Sequence, residues 1–138
     1  MGSTMTTRTA LTRNQLCVLE KLETAGGPLS AYTLLDQLRE SGFRAPLQVY
    51  RALDALMKEG FVHRLESLNA FVACAAADGH SHSMTAFAIC DECGQVTEFS
   101  DHAIGHKLDD WVRSSGFAPK KAVIEFRGTC AKCLARAA

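Results

Sequence analysis

Two C-x-x-C pairs, Cys90-Asp91-Glu92-Cys93 and Cys130-Ala131-Lys132-Cys133, constrain this chain more than any other feature. Two thiolates separated by two residues can grip one tetrahedral ion through a tight backbone turn, and Gly94 eases the turn after the first pair. Two such pairs form a four-thiolate set, the closed coordination sphere of structural zinc. The insert between them is longer than in a simple zinc ribbon. A shared ion would therefore tie the end of the chain back to its first knuckle. In a small domain that binding energy, about 10–16 kcal/mol in small zinc modules, is also folding energy. Redox pairs or uncoordinated thiols are the alternative.

Metal binding is the better reading only if the chain stays in a reducing compartment. The first sixteen residues hold no apolar core of a secretory leader, and no apolar run approaches the roughly 18 residues of a membrane span. A cytoplasmic location and no membrane partner are expected. Residues 1–4 read as a cloning scar ahead of a start at Met5. The length of 138 residues allows one or two small domains, and a formal net charge of zero weakens the case for bulk electrostatic binding to nucleic acid. A nucleic-acid reader of this composition must concentrate its charge locally.

The chain reads as α+β, with a winged helix-turn-helix over residues 5–74, a hinge over 75–84 and a small α/β domain over 85–138. Thr12 to Thr24 reads as a helix, with Thr12 and Gln15 as a capping box and Leu16, Leu19 and Leu22 along one stripe. Ser30 caps a second helix reaching Ser41, which buries Leu34, Leu35 and Leu38 and stops at Gly42. Pro46 opens a third helix ending near Glu59. Its apolar face is Val49, Leu53 and Leu56, and its opposite face is Gln48, Arg51, Ala55 and Lys58. Phe61 to Ser67 and Ala70 to Cys74 read as a hairpin around Leu68-Asn69. Beyond the small, polar segment from Ala75 to Ser83, Thr85 to Cys90 and Gln95 to Phe99 read as strands. Asp101 to Ser115 reads as a helix burying Ile104, Leu108, Trp111 and Val112. Lys121 to Arg127 reads as a third strand, in which Ala122, Ile124 and Phe126 alternate with more polar neighbours.

A second metal set of different chemistry is also present. A two-residue turn at Leu68-Asn69 would pair Leu65 with Val72 and place His63 opposite Cys74, within about 4.5–5.5 Å at Cβ. His82 follows in the hinge and Glu98 on the second strand of the second domain. Two imidazoles, one thiolate and one carboxylate balance the charge of Zn²⁺ and suit it better than Fe²⁺ or Mn²⁺. His80 is an alternative to His82, because i and i+2 share a face of an extended segment. His102 and His106 share a helix face and read as solvated. Cys17 reads as a small buried hydrophobe.

At this point the chain resembles a known family. Val49-Tyr50-Arg51-Ala52-Leu53 is similar to the V-Y-R-x-L signature of the recognition helix in ferric uptake regulators. Residues 60–67, Gly-Phe-Val-His-Arg-Leu-Glu-Ser, resemble the wing of that family's zinc-sensing branch. The two C-x-x-C pairs resemble its structural zinc site. The likeness runs from about Leu11 to Leu134. It implies a homodimer, two Zn²⁺ per subunit and metal-dependent repression through AT-rich palindromic double-stranded operators. It implies that His63, Cys74, His82 and Glu98 are the sensing ligands. It also implies that Arg51 reads a base, Tyr50 meets the backbone or a pyrimidine, and Arg44, Lys58 and Arg64 sit at phosphates. Gly105 stands where many relatives have an acidic ligand, so a third metal is not expected. Relatives sensing Fe²⁺, Mn²⁺ or peroxide are the nearest rival reading, and a zinc-stapled protein-interaction adaptor is a further one. A zinc hydrolase is disfavoured, because H-E-x-x-H is missing and a catalytic zinc keeps an open position. Neither an enzymatic activity nor a small-molecule substrate is expected.

Overall fold

The computed structural model describes residues 8–74, 85–119 and 122–137. The chain forms two compact units, one running to His80 and the other starting at Ser81. The expected hinge, with His80 and His82, lies outside the described residues, as does Lys121. No described helix is long and apolar enough to cross a membrane.

In the first unit α1 spans Arg13–Ala25, α2 Ala31–Gln37 and α3 Pro46–Lys58, followed by strands β1 Val62–Leu65 and β2 Ala70–Ala73. Each helix start is dictated locally. Thr12 Oγ1 accepts from the Gln15 N–H while Gln15 Oε1 accepts from the Thr12 N–H, which satisfies two otherwise orphaned donors. Ser30 Oγ accepts from the Thr33 N–H at 3.1 Å. At α3 the cap comes from inside the helix, because Gln48 Oε1 accepts from the N–H groups of Arg44 and Ala45 at 2.6 and 3.0 Å. Helix α2 is shorter than its sequence pattern suggests. The Leu38 N–H is shared between the carbonyls of Leu34 and Leu35, which tightens the last turn into a 3₁₀ segment, Arg39–Ser41. Gly42, at φ 99°, then reverses the chain in a conformation that strains a side-chain-bearing residue.

The apolar stripes of all three helices meet in one core. Val18, Leu34, Val49, Leu53 and Leu56 are completely buried. Leu29 exchanges two backbone hydrogen bonds with Phe71, at 3.0 and 2.8 Å, in a single antiparallel bridge beside the two-stranded wing.

The wing corrects one expectation. Leu65 pairs with Ala70 and His63 with Val72, so the loop is Glu66 to Asn69 and not Leu68-Asn69 alone. A two-residue turn of the favoured kind needs positive φ at both central residues, which is costly for leucine. Here the Leu68 N–H instead closes a turn on the Leu65 carbonyl, and only Asn69 takes positive φ, at 51°. The slip is two residues, an even number, so every side chain keeps its face.

The second unit is a three-stranded sheet in the order β4-β3-β5, with β3 Thr85–Cys90, β4 Val96–Phe99 and β5 Val123–Gly128. β4 runs antiparallel to β3, and β5 runs parallel to it. Helix α4, His102–Ser115, supplies the crossover that a parallel pair needs. Asp101 caps it through the Ile104 N–H at 3.1 Å. One further expectation is corrected here. Ile104, Leu108 and Trp111 are exposed, and Gly105 is the buried residue of α4. On the last strand Ala122 and Phe126 are exposed and Ile124 is only half-buried. Periodicity reports that a face is apolar, but it does not say whether the same chain covers it. A last helix, α5 Ala131–Ala137, had no strong sequence signal.

Leu53→Ala should destabilise the first unit by about 2–5 kcal/mol, because a fully buried leucine leaves a cavity. Lys58→Ala, at an exposed position near the end of the same helix, should stay within about 0.5 kcal/mol. Denaturant unfolding of the two variants checks the contrast.

Candidate metal centre

The four knuckle cysteines converge. Cys90 ends β3, Cys93 closes the turn that follows it, and Cys130 and Cys133 sit at the start of α5. All four sulfurs lie within 4.8 Å of one another. Cys90 Sγ is 3.8 Å from Cys133 Sγ, and Cys93 Sγ is 3.8 Å from Cys130 Sγ. A zinc ion with Zn–S bonds of about 2.3 Å sets tetrahedral sulfur–sulfur edges of about 3.8 Å, so the donor set fits the ion. The cysteines are thiols rather than disulfides.

Backbone hydrogen bonds build the cage. The Gly94 N–H donates to the Cys90 carbonyl at 3.0 Å, and Gly94 adopts φ 79°. The N–H groups of Cys93 and Cys130 reach the Cys90 sulfur at 3.5 and 3.3 Å. These donors lower the Cys90 pKa from its ordinary 9.0 to about 6. The Cys133 N–H lowers Cys130 in the same way. Cys133 itself is pushed up to about 12, first by its hydrogen bond with the Cys130 sulfur and then by burial. Cys90 and Cys130 are thus drawn toward the thiolate form and Cys133 toward the thiol. Metal and protons compete for the sulfurs, so zinc affinity falls as pH falls.

The wing brings together the second candidate pair. His63, on β1, is opposite Val72, and Cys74 continues the ladder through its N–H to the Phe61 carbonyl at 2.7 Å. The two are diagonal neighbours on one face, still within reach of each other's side chains. Their ligand atoms lie within 4.8 Å, and both residues are half-buried. Glu98 stands on β4 opposite Phe87 in the second unit, half-buried. His82 lies outside the described residues.

On α3, Arg51 and Lys58 are exposed and Tyr50 is 41% exposed, so this face carries no part of the core. Arg44 is exposed just ahead of the helix. Arg64 is engaged inside the wing. It donates to Asn69 Oδ1 at 2.8 Å and lies 3.6 Å from the Glu66 carboxylate.

The sequence profile of the ferric uptake regulator family matches residues 6–127. The chain belongs to the ferric uptake regulator family. It is 42% identical over 125 residues to the zinc uptake regulation protein of Escherichia coli K12, a match covering 90% of this chain and 72% of that one. It also resembles a solved zinc uptake regulator complexed with zinc and DNA, with a TM-score of 0.86 and 41% identity over 94% of this chain and 87% of the other. A third likeness is to holo XcZur, with a TM-score of 0.82 and 46% identity over 91% and 86% of the two chains.

In this member of the ferric uptake regulator family, two contacts around the cage were not legible from spacing. Arg127 donates through Nε and Nη2 to Asp91 Oδ1, at 3.0 and 2.7 Å, and braces the first knuckle against β5. Arg136 Nη2 reaches Cys133 Sγ at 3.6 Å, placing a positive charge against a cluster of thiols. Its i, i+3 relation to Cys133 becomes informative only once α5 is known to be a helix.

Cys130→Ser should remove about one tightly held zinc per subunit and unfold the sheet of the second unit. Metal analysis of the purified variant, with near-ultraviolet circular dichroism at Trp111, checks both effects.

Proposed function

We propose that the chain is a zinc-responsive transcriptional repressor which, as a zinc-loaded homodimer, binds AT-rich palindromic operators and shuts down zinc uptake genes in the cytoplasm. The observation that carries this reading is the wing. It follows the helix bearing Tyr50 and Arg51 directly, and it presents His63 and Cys74 together as a soft donor pair. Metal ligands built into the element that flanks the recognition helix can report metal status to the DNA-contacting surface.

In this reading each subunit takes two zinc ions. The four cysteines hold the first, as a permanent staple. His63, Cys74, His82 and Glu98 hold the second, which is the signal. A thiolate in that set favours Zn²⁺ over the harder Fe²⁺ and Mn²⁺. Two neutral imidazoles, a thiolate and a carboxylate leave the bound ion close to charge-neutral. Its four donors also leave no open position for a catalytic water, so the chemistry is binding rather than turnover.

The second ion acts as a clamp across the segment 75–84. His63 and Cys74 would hold the ion from the wing, with His82 and Glu98 completing its donors, and this would fix the spacing of the two recognition helices. Successive major grooves on one side of a duplex are about 34 Å apart, so only a fixed separation engages both half-sites. Zinc and operator then promote each other's binding by the same factor, as linkage requires. The second copy docks on the second unit. The apolar face of α4, with Ile104, Leu108 and Trp111 exposed, is the surface it would cover.

Arg51 carries base recognition, since its forked guanidinium matches the O6 and N7 of guanine. Arg44 and Lys58 supply phosphate contacts, and Tyr50 packs against the backbone or a pyrimidine. Arg64 would have to leave Asn69 and Glu66 to reach a phosphate.

Cys74→Ser tests the assignment. It should leave the dimer folded while abolishing most of the zinc-dependent gain in operator affinity, a coupling of typically about 5–150-fold in allosteric regulators. Fluorescence anisotropy on a labelled duplex at buffered free zinc reads the effect. Loss of the folded state in place of loss of response would mean that the staple and signal roles are assigned to the wrong sites.

A further inference from the structure

We infer that Leu47 is a base-reading residue, packing on the 5-methyl group of a thymine in the major groove. The inference rests on the DNA-binding reading above and adds to it a residue that reads sequence through shape and apolar contact. Leu47 is the second residue of α3 and is 56% exposed. Its exposure is not part of a general scatter. Among the described residues of the first unit, the exposed large apolar side chains are Tyr32, Leu47 and Tyr50, and two of these three lie in the first turns of α3.

Helix geometry places Leu47 among the proposed DNA contacts. Tyr50 is at i+3 and Arg51 at i+4, so the three side chains share one face, with Leu47 between the other two and nearer the N-terminus. The N-terminal residues of a recognition helix are the ones that reach base edges. The polar candidate at this level, Gln48, has its carbonyl oxygen committed to the N–H groups of Arg44 and Ala45. Further along the same face stands Asp54, exposed and negative, which favours contact through the first two turns over deeper engagement of the C-terminal half. An exposed leucine at the leading edge has one apolar feature to meet in the major groove, the thymine methyl, and cytosine does not carry it. Burying that methyl against Leu47 would favour T·A pairs at one position of each half-site without a hydrogen bond.

The test begins with a duplex selected from a random-sequence library by the zinc-loaded full-length protein. It is then synthesised with deoxyuridine replacing each thymine in turn, which removes only the methyl group. Affinity is measured for the wild type, Leu47→Ala and Leu47→Met. Leu47 is exposed, so neither substitution threatens the core. One thymine per half-site should be found whose replacement weakens wild-type binding by roughly fourfold per methyl lost, and whose replacement leaves Leu47→Ala unchanged. Leu47→Met should keep part of the sensitivity. Uridine penalties equal in the wild type and Leu47→Ala at every position would overturn the inference and leave the DNA-binding reading standing. If the zinc-loaded protein selects no sequence, the DNA-binding reading itself fails, and the inference falls with it.

Discussion

Four sulfurs held at tetrahedral spacing organise the second unit. Its sheet has only three strands, and much of its apolar surface faces outward. Such a domain buries too little to fold on hydrophobic energy alone, and a structural metal is one of the few devices that offset the shortfall. The cage sits where it has most leverage. It joins the end of central strand β3 to the start of α5, so a single ion would fix the chain on both sides of the β4, α4 and β5 excursion. The Asp91–Arg127 pair and the Asp91 N–H to the Gly128 carbonyl, at 2.7 Å, hold the two knuckles in register. Exposed ion pairs of this kind contribute little each, typically under about 1 kcal/mol. Their value is in orienting the thiols.

The first unit closes around an apolar core of its own. Its core is closed by Val18, Leu34, Val49, Leu53 and Leu56, and its helices start at caps written into the local sequence. This independence permits the proposed division of labour between a permanent zinc in one unit and a signalling zinc whose ligands begin on the wing. His63 and Cys74 are held on one face of the β1–β2 hairpin, whose ladder is made of backbone hydrogen bonds, so that half of the proposed signalling site is positioned by the fold and binding has less to order.

Much of this was legible in the sequence, for identifiable reasons. Capping residues and helical stripes act over three or four positions, and Thr12, Ser30 and Pro46 marked their helices correctly. The four-cysteine cage was legible because C-x-x-C spacing is itself a geometric statement. The wing register was misread because a turn's length depends on which residue tolerates positive φ, and Leu68 does not. His63 and Cys74 still share a face because the slip was an even number of residues. The burial of Ile104, Leu108 and Trp111 was misjudged because an amphipathic pattern is silent on whether its cover comes from the same chain. Arg136 and Gln48 were passed over because their roles appear only once helix ends are placed to the residue.

The central claim is that one zinc holds the fold and a second, weaker one licenses DNA binding. Titrating a graded chelator against the purified protein, while following bound zinc per subunit and affinity for an AT-rich palindromic duplex together, tests it most directly. The account predicts that about one zinc leaves first and takes operator affinity with it, while a second remains and the protein stays folded. Operator affinity that persists after the weaker zinc has gone, or that only Fe²⁺ or Mn²⁺ restores, would contradict it.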